Sequence, residues 1–255
     1  AGTPFALGEN FEISDSNNMN KDMMFNWDQM DSYKVTVNPP LNTSVIGPTF
    51  ISLFPDNKQI RYFPDIETIL SGNTQSEWEV VPQLTRDINF TFTVRDNNPN
   101  GGNILQEDFL VKTNYSSDGV FEVLTQHVQN LKIQQEQKIE VRWNHLAAKE
   151  TVKVNIELSY DGGYTYPYML ANTIENDGNE EVTIPLLSKT KKARIRVKPT
   201  DNIFFGINPV NFEIIDPEFK MNITFPEEIL CFGGVSTLSI DPKGGGGAPY
   251  TISWE

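Results

Sequence analysis

The feature that most constrains the fold is a strict alternation of apolar and polar residues, which is clearest at Val152–Leu158. A period of two turns one apolar face toward a core and one polar face toward solvent, as in a half-buried β-strand. Asp161-Gly162 follows and predicts a two-residue type I′ turn, after which Tyr164 and Tyr166 are predicted to begin a second alternating strand. The segment is therefore predicted to form a β-hairpin.

The same period of two recurs along most of the chain, and clusters of Asn, Asp, Gly and Pro separate the repeats. Met23–Met30 has Trp27 at its centre, and only Asp65–Leu70 is predicted to form a helical turn. The other alternating segments are Asp87–Arg95, Phe109–Thr113, Lys138–Asn144, Glu180–Leu186, Ala193–Val197 and Val210–Ile215. Many short strands with little helical periodicity predict an all-β fold of antiparallel sandwiches.

Breaks in this pattern predict three units. Residues 1–116 form a first sandwich, interrupted over about residues 38–84 by an irregular insertion rich in proline. Its aromatic side chains are expected to pack the insertion: Phe50, Phe54, Tyr62 and Phe63. Residues 117–216 form a second sandwich of fibronectin type III-like arrangement. The predicted fold class is tandem antiparallel Ig-like or fibronectin type III-like β-sandwiches with an incomplete third module, residues 217–255.

The two ends of the sequence look like mid-protein sequence. The chain begins at Ala1-Gly2-Thr3-Pro4 and stops at Ser253-Trp254-Glu255 within a predicted strand, which is typical of a fragment of a longer protein. An apolar strand is not expected to stay ordered alone in water. We therefore expect the tail to be held by the second unit or by a neighbouring chain.

Charge and composition narrow the range of partners. The 255 residues carry 34 acidic and 20 basic side chains, a formal net charge of −14. Such a chain repels phosphate backbones, so nucleic acid is not an expected partner. No apolar run reaches the roughly 20 residues of a membrane-spanning helix, so no membrane insertion is expected. The single cysteine, Cys231, excludes an intrachain disulfide.

The sequence contains no assembled catalytic motif. His127 and His145 are its only histidines and lie on different predicted elements, whereas zinc peptidases need two histidines on one helix. A Gly-x-Ser-x-Gly elbow is absent. The glycine run at residues 244–247 is followed by Ala248-Pro249, which is typical of a loop and not of a phosphate-binding turn. We therefore predict that this chain is not an enzyme and requires no cofactor.

Two polar turns are candidate sites for Ca²⁺, which prefers oxygen ligands. The candidate ligands in the first turn are Asp15, Asn17, Asn20 and Asp22, and those in and near the second are Asp96, Asn97 and Asp108. The alternative is that these side chains bond only to the backbone of their own turns.

Four tyrosines make the predicted hairpin a candidate binding surface, because aromatic rings stack on sugars or fill pockets of a partner protein. They are Tyr160, Tyr164, Tyr166 and Tyr168. The hairpin also contains Ser159-x-Asp161-x-Gly163-x-Thr165, which resembles the Asp box of sialidases, a structural element remote from catalysis. Only one such box is present, so a sialidase propeller is not expected.

A set of short motifs, in chain order over about residues 3–215, resembles one family. The motifs are Thr3–Phe5, Trp27–Asp31, Gly47–Phe50, Arg61–Pro64, Arg86–Asn97, Val141–Trp143, Leu158–Gly163, Asn176–Gly178, Ala193–Val197 and Asn202–Phe205. Together they resemble the region downstream of the catalytic domain in secreted bacterial zinc metallopeptidases of the reprolysin-like class. The tyrosines at positions 164 and 166 depart from the Thr-Phe character of that family's hairpin.

The first unit is also similar to PKD-like or cadherin-like sandwiches. The tail, with Cys231–Gly234 and Gly247–Trp254, resembles the first half of the repeats in SprB-type bacterial surface adhesins. The family resemblance implies that the catalytic helix and its zinc lie upstream of this chain, so no catalytic residue can be assigned here.

The resemblance implies a non-catalytic accessory region that packs against or spaces the catalytic domain of a secreted metallopeptidase, with a role in presenting substrate or a surface. Its expected partner is that upstream domain, and its expected location is outside the bacterium or on its surface. The alternative is an adhesin-type module of a bacterial surface protein that binds a glycan or an extracellular protein. A third alternative is a spacer that makes no contacts.

Overall fold

A computed structural model describes residues 1–9, 23–32, 38–99, 101–224, 239–245, 250, 251 and 253. Its strands are β1 Phe5–Leu7, β2 Met24–Gln29, β3 Arg61–Phe63, β4 Arg86–Arg95, β5 Ile104–Thr113, β6 Lys132–Gln134, β7 Lys138–Arg142, β8 Lys153–Ser159, β9 Tyr168–Glu175, β10 Asn179–Thr183, β11 Thr190–Pro199, β12 Gly206–Ile207, β13 Phe212–Ile215, β14 Lys220–Thr224 and β15 Ser239–Lys243. A short α-helix, α1, spans Ile66–Leu70, and a 3₁₀ helix spans His145–Ala148. The predicted all-β fold of antiparallel sheets is confirmed.

We call residues 1–116 the first module and residues 117–216 the second module, following the predicted boundaries. In the first module β1 pairs with β3, and β2–β4–β5 form a second antiparallel sheet. Apolar side chains of both sheets meet in one aromatic core, because alternate residues of each strand point to the same face. Its aromatic members are Phe5, Phe25, Trp27, Phe50, Phe63, Phe90 and Phe92.

The irregular segment between β2 and β4 is attached to the sheet by two buried arginines. Arg61 donates to the backbone oxygens of Trp27 and Ile51 and to the Glu79 carboxylate. Burial raises the pKa of Glu79, and the Arg61 charge opposes that rise only in part. Arg86 donates to backbone oxygens at both ends of a neighbouring turn, Ser44 and Gly47. These bonds satisfy backbone carbonyl groups of the first module.

One of the aromatic residues expected to pack this insertion does not do so. Phe50 and Phe63 lie in the core, and Tyr62 packs against a separate cluster that contains Phe205. Phe54, by contrast, is 97% exposed. It follows a run of residues without regular structure, so no strand period turns its side chain toward the core.

The second module contains a larger sheet in the order β6–β13–β11–β8–β9, with β12 added to β11, and a separate pair β7–β10. These pairs are antiparallel except β6–β13, which is parallel. The two sheets enclose an apolar core whose largest members are Phe121, Trp143, Ile156, Leu158, Ile184, Ile195 and Phe212. The indole of Trp143 donates to the side-chain oxygen of Asn176 at 2.7 Å.

The predicted two-residue turn between β8 and β9 is wrong. The two strands do pair, but residues 160–167 form an eight-residue loop between them, and neither Tyr164 nor Tyr166 lies in a strand. Positive φ angles fall on Gly162 and Gly163, at 98° and 103°, and not on Asp161. A type I′ turn would have required Asp161 to adopt a positive φ.

The described part of the tail contains an antiparallel pair of strands, β14–β15. The side chains of β14 are all exposed, and Glu218 N–H lies 3.5 Å from the side-chain oxygen of Gln134 in the second module. Leu238 and Cys231 lie outside the described residues. Within the described ranges, no helix is long and apolar enough to cross a membrane.

Candidate functional site

The 160–167 loop lies against the first module. An added Cβ at Gly163 would lie 2.4 Å from the Leu70 side chain at the end of α1 and 3.0 Å from the Tyr166 hydroxyl. Real Cβ atoms do not approach other atoms so closely, and the φ of Gly163 is also one that favours glycine. The glycine of the Ser-x-Asp-x-Gly-x-Thr pattern therefore permits close contact between the two modules.

The other residues of that pattern hold the loop in shape. Asp161 Oδ1 accepts from the amides of Tyr164 and Thr165, and Oδ2 accepts from the Thr165 hydroxyl at 2.6 Å. The Ser159 hydroxyl donates to Asp161 Oδ1 and accepts from the Gly163 amide at 2.8 Å. Partial burial works to raise the pKa of Asp161, but these hydrogen bonds outweigh it and lower the pKa to about 2.

Strand β11 faces the first module with a row of cations. Alternation along the strand turns Ile195 and Val197 into the core of the second module. Arg194, Arg196 and Lys198 therefore point to the opposite face, and both arginines are nonetheless buried. A buried charge is costly unless it is paired or hydrogen-bonded. The partners of these side chains therefore mark the contact between the two modules, which we call the junction.

Arg194 is held mostly by neutral oxygens. Its guanidinium donates to the side-chain oxygen of Asn211 at 2.6 Å and to the backbone oxygens of Asn208 at 2.8 Å and Leu70 at 3.0 Å. The bond to Leu70 crosses the junction and satisfies a carbonyl at the C-terminal end of α1, where a cation is favourable. Burial lowers the pKa of Arg194.

Arg196 and Lys198 share one carboxylate of the first module. Arg196 donates to Glu9 at 2.9 Å and to Glu157 of the neighbouring β8 at 2.6 Å, while Lys198 donates to the second Glu9 oxygen. Burial opposes ionisation of Glu9, but Arg196 and Lys198 outweigh it and lower the pKa of this carboxyl. The guanidinium of Arg196 also lies 4.4 Å from the centre of the Tyr166 ring.

An apolar cluster and backbone bonds complete the junction. Ala6, Ile69 and Phe205 are buried together, and Phe205 meets the Tyr62 ring edge-on. The Ala6 amide donates to the Ile203 oxygen at 3.0 Å, and the Phe205 amide donates to the Pro4 oxygen at 3.1 Å. Burying apolar surface excludes water from the neighbouring ion pairs, which strengthens their attraction.

The four predicted tyrosines divide into two pairs. Tyr160 and Tyr168 pack edge to face, with ring centres 5.1 Å apart, against the core of the second module. Tyr164 and Tyr166 face the junction, where the Tyr164 hydroxyl donates to the Glu67 carboxylate of α1 at 2.8 Å. The buried hydroxyls of Tyr160 and Tyr166 have no hydrogen-bond partner among the described residues.

The candidate Ca²⁺ ligands are not brought together in the described part of the chain. Asp96 accepts from the amides of Asn98 and Asn103 at its own turn. Asp108 accepts from Thr91 of β4, whereas Asp96 follows the end of that strand, so roughly 16 Å of extended backbone separates Thr91 from Asp96. Asn97 lies in the same turn as Asp96, with φ of 47°.

The remaining candidate ligands, Asp15, Asn17, Asn20 and Asp22, lie outside the described residues. Where the structure describes the chain, no group of three or more His, Cys, Asp or Glu side chains is placed to hold a metal.

Sequence reasoning missed the partners on which the junction depends: Glu9, Glu67, Leu70, Arg194 and Arg196. The sequence signal that could have indicated the junction is the alternation of cations with apolar residues at Lys192–Lys198. In the structure both faces of this strand are buried, and cations are unusual at buried positions.

No family model matches this chain, and no curated protein matches it significantly.

Proposed function

We propose that this chain is a non-catalytic accessory region of a secreted bacterial zinc metallopeptidase, in which the two modules act as one rigid spacer. The observation that carries the proposal is the buried junction of Glu9 with Arg196 and Lys198. Domains are expected to move relative to one another unless their interface is large and apolar, and this junction adds the buried cluster of Ala6, Ile69 and Phe205 to its ion pairs. Here the charges of both modules are withdrawn from solvent together.

The ordered set of family-like motifs supports the link to a metallopeptidase. Several of these motifs supply junction residues: Thr3–Phe5, Leu158–Gly163, Ala193–Val197 and Asn202–Phe205. A spacer must transmit a fixed geometry from one end to the other, and residues that fix the relative positions of two modules serve that purpose. The adhesin alternative placed its binding surface on the tyrosine hairpin, where Tyr164 already contacts the first module and the Tyr166 ring lies against Arg196.

The rigidity of the junction can be tested by the distance between two spin labels, one on each module. The labels are attached to cysteines that replace exposed lysines, Lys58→Cys in the first module and Lys189→Cys in the second, and Cys231→Ser removes the native thiol. Double electron–electron resonance should give one narrow distance distribution, which Arg196→Ala broadens. A broad distribution in the parent protein would contradict the rigid spacer.

Activity and gene context test the remaining part of the proposal. The purified chain with added zinc should not hydrolyse casein, and the encoded sequence upstream of residue 1 should contain a His-Glu-x-x-His helix. Hydrolysis that co-purifies with the chain, or further sandwich repeats upstream in place of the zinc helix, would overturn it.

A further inference from the structure

We propose that a depression on the second module binds a small oxyanion, either the carboxylate of a small organic acid or a phosphate, an activity that goes beyond the spacer role. The depression has a volume of about 430 Å³ and is lined by the loop before β6, by β11, and by β13 with the loop that precedes it. Two cations carry the proposal, Lys191 and Arg194. They line the same depression, and neither has a carboxylate partner among the described residues.

Arg194 brings a buried positive charge to this depression. Its exposed fraction is 6%, and its three nitrogens donate to the side-chain oxygen of Asn211 and to two backbone oxygens, all of them uncharged. A guanidinium has five N–H groups, so two of them remain after these three bonds. Burying a charge among neutral groups is costly, and burial accordingly lowers the pKa of Arg194. An anion in the depression would supply the missing negative charge.

A β-bulge turns Lys191 toward the same depression. Residues three apart on a regular strand point to opposite faces, so Lys191 and Arg194 would not otherwise share a surface. Here the three steps from Thr190 to Ala193 on β11 are opposed by only two steps on β13. Such an extra residue bends the strand and re-aims its side chains. The Thr190 hydroxyl holds the bulge in shape, because it accepts from the Lys192 amide at 3.0 Å.

The carboxylates of β13 and of the residue after it are paired with other lysines. Glu213 lines the depression, but its carboxylate lies 3.8 Å from the Lys132 ammonium. Asp216 accepts from Lys189 at 2.8 Å. The whole chain carries a formal net charge of −14, so a depression with two unmatched cations is a local exception. Its charge therefore attracts anions and disfavours cations.

Amide groups complete the set of donors around the two cations. The Asn211 oxygen accepts from Arg194 Nε at 2.6 Å, which leaves the amide nitrogen of Asn211 to donate. Gln129 and Asn130, in the loop before β6, also line the depression, and both are exposed. Carboxylates and phosphates accept several hydrogen bonds at once, and the planar guanidinium of arginine matches their geometry. A neutral ligand would leave the charge of Arg194 uncompensated.

The test is an NMR titration of the 255-residue chain that follows the backbone amide resonances of Asn130 and its neighbours. Three ligands are added at constant ionic strength: sodium glucuronate, sodium phosphate, and glucose as the neutral counterpart of glucuronate. At least one of the two anions should give saturable shifts, and glucose should give none. Lys191→Ala should weaken the binding of that anion about tenfold, as expected for the loss of one charge-assisted hydrogen bond. Lys192→Ala, which removes the adjacent exposed lysine outside the depression, should leave binding unchanged.

The source of the oxyanion follows from the same titrations. Saturation by phosphate supports a free inorganic ion as the ligand, and saturation by glucuronate alone supports the carboxylate of a small organic acid. The proposal is overturned if neither anion gives saturable shifts, or if glucuronate and glucose bind equally well. It is also overturned by equal losses in Lys191→Ala and Lys192→Ala, or by binding that survives both Lys191→Ala and the charge reversal Lys191→Glu. Because this titration measures neither peptidase activity nor the distance between the modules, a negative result leaves the spacer proposal standing.

Discussion

Two loops of this protein each contain an aspartate that accepts backbone N–H groups, yet only one of them forms a contact between modules. Asp161 bonds to the amides of Tyr164 and Thr165, and Asp96 bonds to those of Asn98 and Asn103. Gly162 and Gly163 of the Asp161 loop are enclosed between α1 and β11, whereas the described residues that follow Asp96 in its loop are exposed. The same turn chemistry can therefore shape a surface turn or an interface, and the surrounding residues decide which.

The largest loss of stability is expected when Arg196, the cation beneath the 160–167 loop, is replaced. Arg196→Ala removes the partner of Glu157 and one partner of Glu9, and it also removes the guanidinium that lies over Tyr166. Removing one member of a buried ion pair leaves an uncompensated charge, so the free energy of unfolding should fall by about 3–5 kcal/mol. Urea denaturation measures this change.

Arg142→Ala is the matched control, because Arg142 is an exposed arginine on β7 of the same module. It should change the free energy of unfolding by less than about 0.5 kcal/mol. Equal losses in the two variants would show that the junction charges do not stabilise the folded protein.

Glycines of the two loops offer the next comparison. Gly163 and Gly101 both have a positive φ, but they differ in the space for a Cβ. A Cβ added at Gly163 would lie 2.4 Å from the Leu70 side chain, whereas one added at Gly101 would have no neighbouring atom within 4 Å. Gly101→Ala should cost about 1 kcal/mol from backbone strain alone. Gly163→Ala should cost about 2–3 kcal/mol, because the overlap forces Leu70 or the loop to move.

Thermal unfolding of both glycine variants checks the difference, and the spin-label distance between the modules should change only in Gly163→Ala. Similar losses of stability together with an unchanged distance would mean that the enclosed loop tolerates the methyl group, and that the close contact is not required.

Much of the fold was predictable because the alternation of apolar and polar residues indicates which side chains of a strand are buried. It located the strands around Trp27, Phe90, Trp143 and Ile195, whose side chains are all buried. The method failed at Phe54, where no regular strand exists to impose a period. It failed also after Ser159, because an Asp-Gly pair looks like a tight turn, and side-chain hydrogen bonds can instead stabilise a longer loop.

The junction itself was much harder to predict. Glu9 and Arg196 are 187 residues apart in the sequence, so no local motif connects them. Tyrosines 164 and 166 were identified as contact residues, but a sequence alone does not distinguish a partner protein from a neighbouring module of the same chain. Long-range pairs become visible only when the relative placement of both modules is known.

The two aspartates differ in their expected effect on acid stability. The pKa of Asp161 is about 2 in the folded protein, below its ordinary value of 3.8. Folding therefore favours its ionised form. The stabilisation that this carboxylate gives the folded protein is complete above about pH 4 and is lost as the pH falls toward 2. Because the carboxylate is partly exposed to solvent, we expect it to contribute about 1–2 kcal/mol to the free energy of unfolding. Asp161→Asn should remove this part of the pH dependence, measured by urea denaturation between pH 2 and 6.

Asp96→Asn is the control on the exposed loop. Amide donors from Asn103 and Asn98 also lower the pKa of Asp96, so the sign of the effect is the same. Solvent screens the exposed carboxylate, and the loss should be clearly smaller than for Asp161→Asn. An equal or larger loss at Asp96 would show that enclosure between the modules adds nothing to the stability of the loop.

The smallest effect is expected at the outer edge of the enclosed loop. The exposed Tyr164 hydroxyl donates to Glu67, and this hydrogen bond to a carboxylate raises the pKa of Tyr164. A double-mutant cycle of Tyr164→Phe and Glu67→Gln should give a favourable coupling at pH 7 that is smaller than the Asp161 effect. The coupling should vanish as the pH rises above about 10, because the hydroxyl that donates is then lost. A coupling that persists at high pH would mean that the loop is held here by packing of the ring and not by this hydrogen bond.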